Sequence, residues 1–213
     1  MAYNFDTIAA HYDRMNRLMT MGLDRCWRKR AVRDLQGNVL DVACGTGDMA
    51  VELIKCGCKV TGVDISEAML AVAKRKVEGG EWRVANVEHL PFEDNIFDAV
   101  TCAFGVRNFV HLEQGLSEML RVLKPGGTMV ILELATPDSK LVQPFYNLYT
   151  KHVIPWLGAR IAGSREAYTY LPQSIECFPK GDAFCDIIHG LGATAMQCRF
   201  TFGVCRRYTI TKQ

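Results

Sequence analysis

Val39-Leu40-Asp41-Val42-Ala43-Cys44-Gly45-Thr46-Gly47-Asp48-Met49-Ala50 decides how the rest of the chain is read. Val39 to Ala43 has the composition of a short buried strand, apolar except at Asp41. Gly45, Thr46 and Gly47 follow. An apolar-periodic run through Ala50, Leu53 and Ile54 then predicts a helix. Glycine suits a place where a ligand must approach backbone, because a Cβ would block it. The helix that follows offers free N–H groups at its start. A nucleotide or nucleoside site at the carboxyl end of a first parallel strand is the expectation. Gly45, Gly47 and Ala50 also fit the dinucleotide pattern G-x-G-x-x-G/A, and a tight turn without ligand fits as well.

Working outward, the 213 residues suit one large domain, and the 49% hydrophobic content can bury a sizeable core. A net charge of +2 gives no argument for nucleic acid as a partner. No apolar run approaches the ~18 residues that span a bilayer. The start, Met1-Ala2-Tyr3-Asn4-Phe5-Asp6, lacks the basic and apolar regions of a signal peptide, so a cytoplasmic protein is expected. The nine cysteines are odd in number and scattered; Cys44, Cys102, Cys198 and Cys205 fall in expected core segments. Cys56 and Cys58 have no second pair to complete a zinc site. Buried free thiols and no metal are the reading.

Tyr3 to Arg33 reads as amphipathic helix in two pieces, broken near Met21-Gly22. Lys59 to Asp64 is a second strand ending in a carboxylate, 17 residues after Gly47. An acid there accepts hydrogen bonds from ribose hydroxyls, or it caps the helix that begins at Ser66-Glu67. Glu81 to Ala85, Ile96 to Ala103 and Thr128 to Leu134 are further strands, the last after a breaker at Lys124-Pro125-Gly126-Gly127. Alternating strands and helices imply parallel βαβ units. Leu141 to Gly190 is helical and aromatic-rich. Met196 to Phe200 and Arg206 to Thr211 are joined by too few residues for a crossover, so they must be antiparallel. A parallel sheet closed by one antiparallel strand argues against a dinucleotide dehydrogenase. It is the plan of Rossmann-like, S-adenosylmethionine-dependent methyltransferases.

The motifs resemble that class in order: Asp41 to Gly47, Asp64, Asn86-Val87-Glu88 before Leu90-Pro91-Phe92, and Arg121 to Gly127. More narrowly, the chain resembles the demethylmenaquinone and ubiquinone-precursor C-methyltransferases. Tyr12-Asp13-Arg14-Met15-Asn16 continuing to Trp27, Phe104-Gly105-Val106-Arg107-Asn108, and Tyr168 to Ile175 carry this. The match runs from Tyr3 to about Gly203. It departs at Ala43, where many of the wider class have Gly, at Asn86, where many have Asp, and at Ala103, where relatives can have Ser.

The resemblance implies a class I methyltransferase fold in a single domain over 1–213. That fold has a mostly parallel seven-stranded sheet with an antiparallel last strand and helices on both faces. Residues 1–35 would form a helical cap and 138–190 a helical lid at the acceptor site. It implies S-adenosylmethionine as cofactor, with Asp41, Gly45, Thr46 and Gly47 at its amino acid end. Asp64, beside Ile65, would hold the ribose, and Asn86 and Val87 the adenine, with Leu90 and Phe92 covering it or serving as core. The implied reaction methylates a ring carbon of a polyprenylated hydroquinone, a lipid quinol substrate. Arg107 and Asn108 would stabilise a developing phenolate. His152 is a candidate base by its ordinary pKa, or a structural residue. Tyr12, Tyr168 and Tyr170 would line the acceptor cavity. The apolar run from Leu141 to Leu157 fits three roles equally: a lid touching the inner face of a membrane, a core helix, or a homodimer interface.

Overall fold

Seven strands form one sheet in the order β3-β2-β1-β4-β5-β7-β6. They are β1 (Asn38–Val42), β2 (Lys59–Asp64), β3 (Gly80–Val84), β4 (Phe97–Ala103), β5 (Leu123–Leu134), β6 (Ala193–Phe200) and β7 (Cys205–Lys212). The first five are parallel, and β7 runs antiparallel to both β5 and β6. This is the mostly parallel sheet with an antiparallel last strand that the tail implied. The computed structural model describes residues 6, 9, 11–161 and 165–213, with their side chains except at 157–159, 161 and 165–169.

The chain steps outward from β1 to β2 and β3, then returns to place β4 on the other side of β1. Successive crossovers therefore diverge between β1 and β4, and the crevice at their carboxyl ends is where such sheets bind ligands. Strand alternation loads the two faces differently. Leu40, Val42, Val100, Met129 and Ile131 meet Leu116 and Met119 of α5 (Leu112–Val122) and Phe184 and Ile188 of α9 (Asp182–Gly190). Val39, Ala99, Val130 and Leu132 meet Trp27 and Ala31 of α2 (Leu23–Val32) and Met49 and Leu53 of α3 (Asp48–Lys55).

The amino-terminal helix breaks where its sequence does. α1 (Tyr12–Met19) ends, and Met21 and Gly22 take positive φ before α2 begins. α1 meets α4 (Glu67–Lys76) and α7 (Ile154–Ile161) in a small core of Met15, Met69 and Ile154. α6 (Gln143–Leu148) runs through a π-helical turn, Tyr149–Val153, into α7, and α8 (Arg165–Cys177) follows.

Two expectations need correction. Lys124 to Gly127 do stop α5, but β5 starts at Leu123, not after them. Leu123 pairs with Phe97 and Thr128 with Ala99, so β4 advances two residues while β5 advances five, and the breaker is absorbed as a bulge. Cys198 is exposed, because β6 is an edge strand with an open face, whereas Cys44, Cys102 and Cys205 are buried. Among the described residues, no helix is long and apolar enough to cross a membrane.

Candidate active site

The turn after β1 has two glycines with different jobs. Gly45 (φ +54) faces open space, with only the Tyr12 ring, at 4.0 Å, near a Cβ built on it. Gly47 (φ +82) is needed for packing, since a Cβ there would meet Val77 at 2.9 Å and Trp82 at 3.1 Å. Gly45 thus lines a cavity of about 160 Å³ at the carboxyl ends of β1 to β4, while Thr46 and Gly47 do not. The Thr46 hydroxyl donates instead to Asp13 of α1. Lys76 bridges Asp13 at 2.6 Å and Asp48 at 2.5 Å, and Arg17 reaches Asp48 at 3.2 Å. These charges hold α1 over the turn.

Asp64 ends β2 on the same cavity. Its Oδ2 accepts the Gly45 N–H at 2.8 Å and its Oδ1 accepts that of Ser66 at 2.9 Å. The helix cap is not Asp64 but Ser66, whose hydroxyl accepts the Met69 N–H at 3.1 Å. Each carboxylate oxygen keeps a lone pair for a hydroxyl donor. Burial pushes the Asp64 carboxyl up, and the backbone N–H bonds oppose it.

Ile65, Asn86, Val87 and Tyr12 complete the lining with Phe109 and Val110. Asn86 Oδ1 accepts the Glu88 N–H at 3.0 Å and starts a 3₁₀ turn, which commits the amide's oxygen and leaves its nitrogen as donor. Leu90 and Phe92 do not reach the cavity. Leu90 is buried in the core, and Phe92 stands edge-on to Phe97 at 5.1 Å. Phe109, from the segment after Asn108, takes the wall position considered for them. Only its place directly behind the Arg107-Asn108 motif could have signalled this.

Asp41 lies deeper. It is fully buried on the face of β1 that α2 and α3 cover, and its Oδ1 accepts the Thr101 hydroxyl at 2.8 Å. Its Oδ2 has no hydrogen-bond partner among the described residues. Burial pushes its carboxyl up to about 7, against the Thr101 bond and the charge of Arg28.

Arg107 and Asn108 sit in a 3₁₀ turn just beyond β4. Arg107 is buried and paired with Glu133 of β5, which sequence reading missed. Nη1 donates to Glu133 Oε1 at 2.6 Å and to the Phe104 carbonyl at 2.5 Å, and Nε donates to Ser174 Oγ at 3.3 Å. Asn108 Oδ1 accepts the Tyr170 hydroxyl at 3.2 Å. Asn108 lines the smaller cavity, and Arg107 and Tyr170 wall a second one of about 420 Å³ against α8. A third, of about 440 Å³, opens between α1, α2 and the lid, with Trp27, Phe104, Phe145, Tyr146, Leu171 and Ile175 in its almost wholly apolar wall. Tyr12 joins the site, its phenol raised by burial while Arg107 and Arg28 pull it down. The side chain of Tyr168 lies outside the described residues.

His152 is not brought to the site. It is exposed in the π-helical turn and lines none of these three cavities, because the lid's apolar side turns inward and carries Thr150 and Ile154 with it.

A protein from Bacteroides fragilis described as demethylmenaquinone methyltransferase is 44% identical, over 98% of this chain and 90% of its own. A protein from Geobacter sulfurreducens described as ubiquinone/menaquinone biosynthesis C-methyltransferase UbiE is 43% identical, over 96% and 85%. The crystal structure of an S-adenosylmethionine-dependent methyltransferase from Thermotoga maritima shares the fold, with a TM-score of 0.69 at 19% identity over 98% of each chain. With the model of the ubiE/COQ5 methyltransferase family matching residues 2–212, the chain belongs to that family.

Proposed function

We propose that this protein methylates a ring carbon of a polyprenylated hydroquinone, demethylmenaquinol, at the expense of S-adenosylmethionine. The observation that carries the reading is the adjacency of unlike spaces. A small cavity with a ribose-type acid, a donor amide and a bare glycine backbone shares the Asn108–Phe109 turn with a cavity walled by Arg107 and Tyr170, and a large apolar cavity opens under the lid. The residues present fit the cofactor. Asp64 offers free lone pairs for two hydroxyls, Gly45 leaves backbone open, and Asp41 presents an unpartnered buried oxygen to a cation. When bound, S-adenosylmethionine supplies an electrophilic methyl group.

A ring carbon becomes nucleophilic when its neighbouring hydroxyl loses a proton, so the site must favour a phenolate. Arg107 cannot be the base, since a guanidinium does not deprotonate in proteins. Glu133 neutralises much of its charge at rest. Its contribution is a rigid donor in the wall of the cavity against α8, next to Asn108 of the smaller one, worth most where water is excluded. Asn108, fixed by Tyr170, would orient the quinol oxygen or a water that removes the proton. Tyr12 and Tyr170 would flank the ring.

The prenyl tail would occupy the 440 Å³ cavity. At its mouth Met21, Phe145 and Phe202, with Leu141 close by, stand three-quarters or more exposed, which suits a rim lying on a membrane surface. The whole chain, 1–213, would act as one catalytic domain, with 1–35 and 138–190 as cap and lid.

The test is incubation with methyl-labelled S-adenosylmethionine and reduced demethylmenaquinone, followed by mass spectrometry. Label on a ring carbon is expected. Label on oxygen, or none with this acceptor while another small phenol is methylated, would overturn the substrate assignment.

A further inference from the structure

α2 carries a cation that the reading above leaves unused. Arg28 is buried with its guanidinium 4.8 Å from the centre of the Phe104 ring. Its Nε has no hydrogen-bond partner among the described residues. The nearest acid, Asp24 one turn back, lies at 4.0 Å, beyond hydrogen-bonding reach. Asp24 is itself tied through Oδ1 to the Thr20 hydroxyl at 2.9 Å. A buried guanidinium N–H without a hydrogen bond is costly, and such a group calls for a partner, which a bound ligand can supply.

A second orphan lies on the same side of the sheet. Asp41 alternates onto the face of β1 that α2 covers, and Phe104, under the Arg28 guanidinium, follows directly from β4, where Thr101 holds Asp41. Asp41 Oδ2 is unpartnered. Arg28 acts on the carboxyls of Asp41 and Asp48 and on the phenol of Tyr12, which walls the smaller cavity. One buried cation and one buried carboxyl, each with one polar atom left unpaired, therefore lie on the side of the sheet that α2 covers, Arg28 in the wall of the large apolar cavity and Asp41 beneath the Gly45 turn. A quinol could set an oxygen against Arg28 and donate an O–H to Asp41, but it brings a full opposite charge to neither. A free α-amino acid group has both a carboxylate and an ammonium and satisfies both.

We propose that Arg28 binds the α-carboxylate of the methionine end of S-adenosylmethionine, as counterpart to Asp41 and the ammonium. The assignment rests on the cofactor reading above. Bidentate guanidinium–carboxylate geometry is what arginine supplies and lysine does not. Arg28 is thus a specificity residue for the intact amino acid end, while Asp64 and Asn86 serve the nucleoside end.

Binding of three ligands, compared with S-adenosylmethionine itself and followed by calorimetry without any acceptor, tests this. They are S-adenosylhomocysteine, decarboxylated S-adenosylmethionine and 5′-methylthioadenosine, which keeps the nucleoside and lacks the amino acid. The wild type should bind the decarboxylated compound at least about tenfold more weakly than S-adenosylmethionine. Arg28→Leu should lose roughly 10- to 100-fold in S-adenosylhomocysteine affinity, the usual worth of a charged hydrogen bond. It should hold methylthioadenosine within twofold and no longer discriminate against the missing carboxylate. If Arg28→Leu does not fold, Arg28→Lys replaces it, with the same selective loss expected at smaller size. Equal losses for S-adenosylhomocysteine and methylthioadenosine, or no discrimination by the wild type, would overturn the assignment. So would unchanged cofactor affinity with a raised KM for the quinol, which would place Arg28 at the acceptor. If the wild type binds none of the three, the cofactor reading itself falls, and this assignment with it.

Discussion

The two halves of the site are built by different means. The cofactor half comes from strand ends and the turns that directly follow them. Gly45 follows β1, Asp64 closes β2, and Asn86 starts the turn after β3. Each group is placed by its own few residues. The acceptor half is assembled from α1, α2, the turn after β4, and α6 to α8, which meet only in the folded chain. Its central group, Arg107, depends on Glu133 and Ser174, 26 and 67 residues away in sequence. A change in the cofactor half should therefore cost binding, whereas a change in the acceptor half should cost fold and rate together.

Arg107 gives the largest expected effect and the sharpest test of that difference. Arg107→Ala leaves Glu133 buried and unpaired, and breaking such a pair costs about 3–5 kcal/mol. A lowered melting temperature alone would not report on chemistry. Arg107→Ala combined with Glu133→Gln removes the stranded charge and should recover much of the stability. The double variant should bind S-adenosylhomocysteine normally while single-turnover methylation falls roughly 10²-fold or more, as when one preorganised donor is lost. Normal turnover in this variant would remove Arg107 from the chemistry.

Asp64 tests the other half. Asp64→Asn keeps one acceptor for the Gly45 or Ser66 N–H and loses the charge. Cofactor affinity should drop by about 1.5–3 kcal/mol, with a loss of stability no larger than the one backbone N–H left unpaired accounts for, about 1–3 kcal/mol. A fall in stability with unchanged affinity would make Asp64 a structural anchor of the turn and erase the contrast between the halves.

The same contrast explains what could be read beforehand. Strand ends, glycine turns and the short β6–β7 connection are local features, so the parallel sheet with its antiparallel end and the strand-end positions of Asp64 and Asn86 were accessible from sequence. Whether Leu90 and Phe92 or Phe109 walls the cavity depends on which way a loop folds, and sequence spacing carries no such information. Glu133 is one polar residue in an apolar strand, and no spacing ties it to Arg107, 26 residues away. Arg28, next to a motif tryptophan, became visible only when its lack of a hydrogen bond could be checked. His152 was a suitable residue type and lacked a suitable place.

Asp41 offers a pH test of intermediate size. Its folded pKa is raised to about 7 by burial, against the Thr101 bond and Arg28, from an ordinary value of 3.8. A raised carboxyl stabilises the fold while protonated, so this contribution is complete below pH 4, declines as pH climbs toward 7, and is gone above it. A cofactor ammonium beside Asp41 favours the ionised form, so binding below pH 7 must release a proton. Affinity should then rise by up to tenfold per pH unit between about 5 and 7 and level off above. Calorimetry in buffers of different ionisation enthalpy would count the proton. Asp41→Asn should flatten the profile, and an unflattened profile would move the linkage to another group.

The smallest effect is expected at Ala43, and it probes the turn that the fold is built around. Ala43 has φ +49, a conformation that costs an L-residue roughly 1–2 kcal/mol. Glycine would remove that strain but lose about 0.5–1 kcal/mol in unfolded-state entropy. Ala43→Gly should accordingly stabilise the protein by about 1 kcal/mol or less in chemical denaturation. The Ala43 methyl also explains Gly105, where a Cβ would stand 2.7 Å from it and 2.9 Å from Cys102 Sγ. Gly105→Ala alone should therefore cost about 1–3 kcal/mol by overpacking. Combined with Ala43→Gly it should cost less than the sum of the single effects, because one of its two clashes has gone while the one with Cys102 remains. Strict additivity in that double-mutant cycle would show that the two residues do not press on each other. The crevice between β1 and β4 would then owe its width to Cys102 alone.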